Sequence, residues 1–73
     1  MMSKFKIGDK VKIINMEHFR DAWVKLGEVG VIESKILDDI YVVRFEKNIQ
    51  YVVMARENMD KNLELVEEKK NEM

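Results

Sequence analysis

Residues 40–56 read IYVVRFEKNIQYVVMAR, and this stretch decides the fold class. Residues 40–46 and 50–56 are both rich in β-branched and aromatic side chains, which strands favour. Lys47-Asn48 between them can form a tight connection, because asparagine tolerates left-handed φ. We therefore predict a β-hairpin. In the first of these strands, Tyr41, Val43 and Phe45 are predicted to share one face, and Val42 and Arg44 the other.

Two further strands are predicted before this hairpin. Residues 9–14 (DKVKII) alternate between charged and apolar side chains, as expected for a half-buried strand. Residues 28–35 form the next strand, and Gly30 inside it indicates a bulge, a sharp bend or the close approach of another backbone. The apolar spacing in residues 15–26 fits either a short helix or a loop, and we favour a long loop with one helical turn.

A fifth strand is predicted near the end of the chain. Residues 57–62 are polar and rich in Asn and Asp, which favours a short turn. Residues 63–66 follow as a strand that buries Leu63 and Leu65. Residues 68–73 are almost entirely charged or polar, so we expect a disordered tail there.

Length and composition limit the fold and the chemistry. The 73 residues suffice for one domain, which we place at residues 1–67. Five short strands are too few for a sandwich of the usual size, whereas closure into a small barrel would protect their edges. The sequence contains no cysteine, which excludes disulfides and thiolate metal sites. Neither a signal peptide nor a membrane-spanning run is evident, so we expect a cytoplasmic protein with no membrane partner.

The strand signatures resemble those of small SH3-like β-barrels, and the resemblance covers nearly the whole chain. The patterns nearest to it are those of the photosystem I E subunit and of KOW-type barrels in ribosomal and transcription proteins. This resemblance implies an all-β, five-stranded barrel with a long loop after the first strand, and a function in protein docking, peptide binding or RNA binding. The second half of this chain is more acidic than that of the photosystem subunit, and the chain lacks the basic excess of the RNA-binding barrels. The matching segments are residues 5–13 (FKIGDKVKI), 27–32 (GEVGVI), 41–45 (YVVRF) and 63–66 (LELV).

Catalytic and metal-binding patterns receive little support. His18 is the single histidine, and a metal site would need it together with Glu17 and Asp21, a set that is also an ordinary surface pattern. The pair Asp38-Asp39 is more typical of a turn than of an acid/base pair. The two serines do not lie in a strand-to-helix elbow. We therefore predict no enzyme activity, no metal site and no cofactor.

Aromatic side chains provide the preferred candidate site. Phe19 and Trp23 lie in the loop after the first strand, where SH3-like barrels commonly meet protein partners, and Tyr41 and Tyr51 are predicted nearby. Tryptophan and tyrosine are favoured anchors of protein interfaces. Phe19 and Trp23 could instead fold back and close one end of the barrel, and the sequence leaves both alternatives open.

Basic residues provide an alternative, nucleic-acid-binding site. The net charge is −1, but residues 1–35 carry seven basic and five acidic side chains, whereas residues 36–73 carry six and nine. Strand lysines also serve simply to keep a sheet soluble and to block edge pairing. The residues predicted for this alternative are Lys10, Lys12, Arg44 and Arg56.

The sequence therefore favours a non-enzymatic protein-interaction module whose partner is another protein. Its size and lysine-rich composition suit a small bacterial or phage accessory protein. The near-neutral net charge disfavours nucleic acid as the partner. We expect a monomer or a weak homo-oligomer.

Overall fold

A computed structural model describes residues 4–20, 23–47 and 49–66, which form five strands and one short α-helix. A 3₁₀ turn, Glu17–Phe19, lies between the first two strands, and helix α1, Arg56–Asn62, precedes the last strand. The strands are β1 (Lys10–Ile13), β2 (Val29–Leu37), β3 (Ile40–Phe45), β4 (Gln50–Ala55) and β5 (Leu63–Leu65).

The strands form one antiparallel sheet in the order β4-β3-β2-β1-β5. This arrangement confirms a mostly β fold and the predicted β3–β4 hairpin. Among the described residues the sheet is open, because its edge strands β4 and β5 do not pair with each other. No helix in the described ranges has the length and apolar composition required to cross a bilayer.

One face of the sheet carries the core. The predicted face of β3 is correct, since Tyr41, Val43 and Phe45 are all buried. Residues outside the strands cover this face, which is how a single sheet of this size acquires a closed interior. These covering residues are Phe5, Phe19, Val24 and Met59.

Gly30 marks a close approach between β2 and β3, which is one of the three alternatives that its position in a strand indicated. A Cβ atom at Gly30 would lie 2.8 Å from Cδ1 of Phe45 and 2.9 Å from the carbonyl oxygen of Arg44. A side chain therefore does not fit at this position unless the ring or the backbone moves. The absence of a side chain at Gly30 allows the Phe45 ring to lie directly against β2.

The predicted turn at residues 57–62 is wrong, because these residues belong to helix α1. Met59 and Asn62 are three positions apart, so they lie on the same side of the helix, and both are buried. Burial of Met59 against the sheet favours the helix over the turn that the Asn and Asp content suggested. The backbone N–H of Leu63 donates to the carbonyl oxygen of Met59 and closes the last turn.

The burial of Leu65 and the end of strand β2 differ from the sequence predictions. Leu63 is buried as predicted, but Leu65 is 37% exposed, since β5 is an edge strand among the described strands. Strand β2 extends two residues beyond the predicted end, with register shifts after Ile32 and after Lys35. The predicted roles of Asn48 and of residues 68–73 lie outside the described residues.

We expect Gly30→Ala to lower the free energy of unfolding by about 1–3 kcal/mol, because the added methyl group overlaps Phe45 and the Arg44 carbonyl. Urea unfolding followed by circular dichroism measures this change. Ser34→Ala, at an exposed position of the same strand, is the matched control and should change the stability little. Equal stabilities of the two variants would contradict the close approach at Gly30.

Candidate interaction surface

The loop between β1 and β2 begins with the 3₁₀ turn, which is anchored in the core. The Asn15 side chain accepts a hydrogen bond from the N–H of Glu17 at 2.8 Å and so starts the turn. Phe19 ends it and is buried, with its ring edge-on to that of Phe45 at a centroid distance of 5.8 Å. Phe19 therefore closes the core, as the second sequence alternative proposed for it.

Trp23 lies farther along the same loop and points into solvent. Its side chain is 80% exposed, so it does not plug the core. The backbone N–H of Trp23 donates a hydrogen bond to Oε1 of Gln50 at 2.8 Å. The next residue, Val24, is buried. The backbone beneath Trp23 is thus tied to the start of β4 and to the core, which keeps the exposed indole near β4.

Trp23, Ile49, Gln50 and Tyr51 together form the candidate site, which we name the Trp23 surface. Ile49 is 71% exposed and Tyr51 is 55% exposed. The four residues line a shallow, open depression of about 480 Å³. Two large aromatic side chains and an isoleucine are thereby exposed around one hydrogen-bonded glutamine. Grouped apolar side chains of this kind are typical of an interaction site rather than of an inert surface.

Ile49 adopts a backbone conformation that its side chain disfavours. Its φ is +49°, in the left-handed region, which β-branched residues rarely occupy. Glycine or asparagine would fit this turn with less strain. An exposed isoleucine at a strained turn position contributes little to stability. Strained residues of this kind cluster at functional sites, which supports a binding role for the Trp23 surface.

A margin of mixed charge lies close to Trp23 and Ile49 along the chain, because Lys25 follows Trp23 by two residues and Lys47 precedes Ile49 by two. Lys25, Glu28, Glu46 and Lys47 line a depression together with Leu26, Gly27 and Val29. Two basic and two acidic residues balance each other there. Exposed aromatic side chains with a charge-balanced margin are compatible with a protein interface.

The four aromatic residues predicted as partner contacts separate into two pairs. Trp23 and Tyr51 meet at the Trp23 surface, whereas Phe19 and Tyr41 lie in the core, where a partner does not reach them. Tyr41 is buried because it alternates in phase with the core residues of β3, which the sequence already indicated. Sequence reasoning missed Ile49, whose single signal was an apolar residue in a predicted turn. It also missed Gln50, whose side chain accepts a hydrogen bond from the backbone N–H of Trp23, 27 positions earlier in the chain.

The basic residues of the alternative site do not form one patch. Lys10, Lys12 and Arg44 lie on the sheet face opposite the core, but Arg56 begins α1 at the other end of the β3–β4 hairpin. Three of the four are close to carboxylates, which would compete with phosphate groups. These pairs are Lys12–Glu64 at 3.4 Å, Arg44–Glu33 at 3.4 Å and Arg56–Asp39 at 3.9 Å.

The one set of metal ligands that the sequence offered, and that we did not favour, consisted of His18, Glu17 and Asp21. Asp21 lies outside the described residues. Within residues 4–20, 23–47 and 49–66, no three side chains of His, Asp or Glu come together in a possible metal site. His18 instead packs against Phe19 with the rings edge-on, at a centroid distance of 5.6 Å.

We expect the fluorescence of Trp23, the single tryptophan, to show an indole exposed to water in the folded protein. Acrylamide should quench the native protein nearly as efficiently as the urea-unfolded chain, because the folded structure leaves the ring open to the quencher. A blue-shifted emission protected from acrylamide would place Trp23 in the core and would contradict the Trp23 surface.

We expect Ile49→Asn to raise the free energy of unfolding by about 1 kcal/mol, because asparagine relieves the strain of left-handed φ. Urea unfolding measures the change. Ile36→Asn is the matched control, since Ile36 is an exposed strand residue for which asparagine offers no such relief. A loss of stability in Ile49→Asn would show that Ile49 contributes to folding rather than to binding.

Comparison with known proteins identifies no relative of this chain. No protein-family model, curated protein or solved structure matches the chain. Function must therefore be argued from the Trp23 surface itself.

Proposed function

We propose that this protein is a non-enzymatic interaction module, built on an SH3-like barrel, that binds a protein partner through the Trp23 surface. The observation that carries the proposal is Trp23, which is 80% exposed while its backbone N–H is held by Gln50. A large aromatic side chain on a tethered backbone loses little conformational freedom when it binds. Trp23 is therefore well suited to anchor an interface.

The order of the elements supports the SH3-like part of the proposal. Strand β1 pairs with both β2 and β5, a long loop follows β1, and a short helix precedes β5. The strand signatures that resemble SH3-like barrels fall on or beside β1, β2, β3 and β5. In such barrels the loop after the first strand commonly meets the partner, and Trp23 lies in that loop.

The charges around the site favour a protein partner over nucleic acid. Nucleic-acid binding depends on cations that are free to neutralise phosphates. Lys12, Arg44 and Arg56 each have a carboxylate within 4.0 Å, and the margin of the Trp23 surface contains two acidic residues. A mixed-charge margin would instead contact a protein surface of mixed charge.

Burial of Trp23 would supply a large part of the binding free energy. Aromatic side chains bury about 150–250 Å² each, and apolar burial contributes about 25 cal/mol per Å². Truncation of a tryptophan anchor typically costs about 2 kcal/mol or more, which corresponds to a change of roughly 30-fold in Kd. The function should therefore be sensitive to this one residue.

We expect Trp23→Ala to weaken partner binding by roughly 30-fold or more without unfolding the protein. Wild type and variant are used in parallel to capture partners from native-host extract, and the retained protein is then purified and titrated. Ile36→Ala is the matched control, because it removes an exposed apolar side chain at a different end of the sheet. Ile49→Asn should weaken binding as well, although it stabilises the fold.

Three outcomes distinguish the alternatives. A purified protein that binds wild type and Ile36→Ala, but binds Trp23→Ala much more weakly, supports the proposal. A protein that binds all three equally shows that another surface is used. Recovery of nucleic acid alone, with binding that falls steeply as salt rises, would replace the proposal with the KOW-like alternative.

A further inference from the structure

Strand β4 is an edge of the sheet without the usual protection. Its sequence, QYVVMA, contains no charged residue and no proline. Its pairing with β3 is regular over all six residues, whereas β2 has two register shifts. Monomeric proteins commonly guard edge strands with charges, prolines or bulges, because a flat apolar edge pairs with other strands. Strand β4 has none of these features.

Among the described residues, the backbone groups on the outer side of β4 have no strand partner. The N–H of Arg56 donates to the carbonyl of Asp39 at 2.8 Å, which fixes the phase of the β3–β4 ladder. Hydrogen-bonded pairs alternate in antiparallel sheets, so Val52 and Met54 bond to β3. The N–H and C=O groups of Tyr51 and Val53 consequently point away from β3. Among the described strands, β3 is the one that pairs with β4.

The space beside this edge is open. The 3₁₀ turn and β4 border an open groove of about 460 Å³. Tyr51 and Val53 are 55% and 54% exposed, so α1 and the described residues of the β1–β2 loop border them without covering them. An added strand can therefore reach the outward backbone groups. The groove is lined by Glu17, His18, Arg20, Gln50, Tyr51, Val52 and Val53.

We propose that a second copy of this chain occupies the edge, with its own β4 paired antiparallel to β4 of the first copy. An antiparallel pairing centred on Val52 places Tyr51 of each copy opposite Val53 of the other. Each of these two contacts exchanges two backbone hydrogen bonds, so four bonds form in total. Aromatic and β-branched side chains are a favourable cross-strand pair. The result is one continuous sheet that crosses a two-fold axis.

Charge complementarity supports a second copy as the occupant. The six residues of β4 bring no like charges together, because they carry none. Lys47 precedes the strand and Glu57 follows it, and antiparallel pairing brings the Lys47 end of one copy towards the Glu57 end of the other. Arg56, the other charge at that end, already pairs with Asp39. The edge strand is thus complementary to itself in hydrogen bonds and side chains, and Lys47 and Glu57 on its two flanks have opposite charges.

The association is expected to be weak. A single strand pair with two half-exposed side chains per copy buries less than the roughly 1,000 Å² of a stable interface. We expect a dissociation constant of about 10 μM to 1 mM. The dimer shares Tyr51 with the Trp23 surface but makes no use of the Trp23 side chain, so the two proposals can be tested separately.

Sedimentation equilibrium over a range of concentrations tests the dimer. Val53→Lys should weaken association at least tenfold, because it introduces the charge that guards natural edges. Val42→Lys is the matched control, since Val42 pairs with Val53 on the same face but belongs to the interior strand β3. Trp23→Ala should associate like wild type, which separates a failure of this inference from a failure of the proposed function.

Amide hydrogen exchange of the wild type tests the geometry without any substitution. The amides of Tyr51 and Val53 should exchange rapidly at low concentration and become protected as the dimer forms, whereas those of Val52 and Met54 should be protected throughout. A protein that stays monomeric to about 1 mM would overturn the inference. A dimer that leaves the amides of Tyr51 and Val53 unprotected would overturn it as well, because another face would then be responsible.

Discussion

The contact between the Phe45 ring and the bare backbone of β2 at Gly30 is the constraint on which the rest of the structure depends. Gly30 allows the ring to lie against the strand, where a Cβ would be 2.8 Å from it. The same buried ring receives Phe19 edge-on. Phe19 fixes the 3₁₀ turn, and the loop that follows reaches the hydrogen bond between Trp23 and Gln50. A close approach inside the sheet thereby determines where an aromatic side chain is exposed on the surface.

Asn62 secures the same loop from the opposite side. It is the one buried polar residue among the described side chains, and its position in an apolar core requires partners for its amide. Its Nδ2 donates to the carbonyl of Asn58 at 2.7 Å, and its Oδ1 accepts from the N–H of His18 at 3.4 Å. Its own carbonyl accepts from the N–H of Ile14 at 2.8 Å. Helix α1, the end of β1 and the 3₁₀ turn are consequently held together by one side chain and its backbone.

The sequence allowed the strands to be predicted because their alternation records which side chains face the core. Helix α1 was missed because Met59 is its single buried apolar residue, too little to produce a helical pattern. The apolar spacing in residues 15–26 fitted either a short helix or the favoured loop with one helical turn, and the described part of this segment has one 3₁₀ turn. That spacing did not indicate that Phe19 is buried and Trp23 exposed. Ile49 has a left-handed φ and lies beside Trp23. Both features depend on tertiary contacts, which the local sequence does not encode.

Two features that are unfavourable for a stable monomer lie next to Trp23. Ile49 occupies a strained turn position, and β4 begins one residue later as an uncharged edge. Single substitutions would correct either feature, an asparagine in the turn or a lysine on the edge, and neither would disturb the core. Local choices in a sequence generally agree with its fold, and the exceptions concentrate where a protein performs its function. Since both exceptions adjoin an exposed tryptophan whose backbone is tethered, this end of the sheet is better explained by contact with other chains than by the stability of its own.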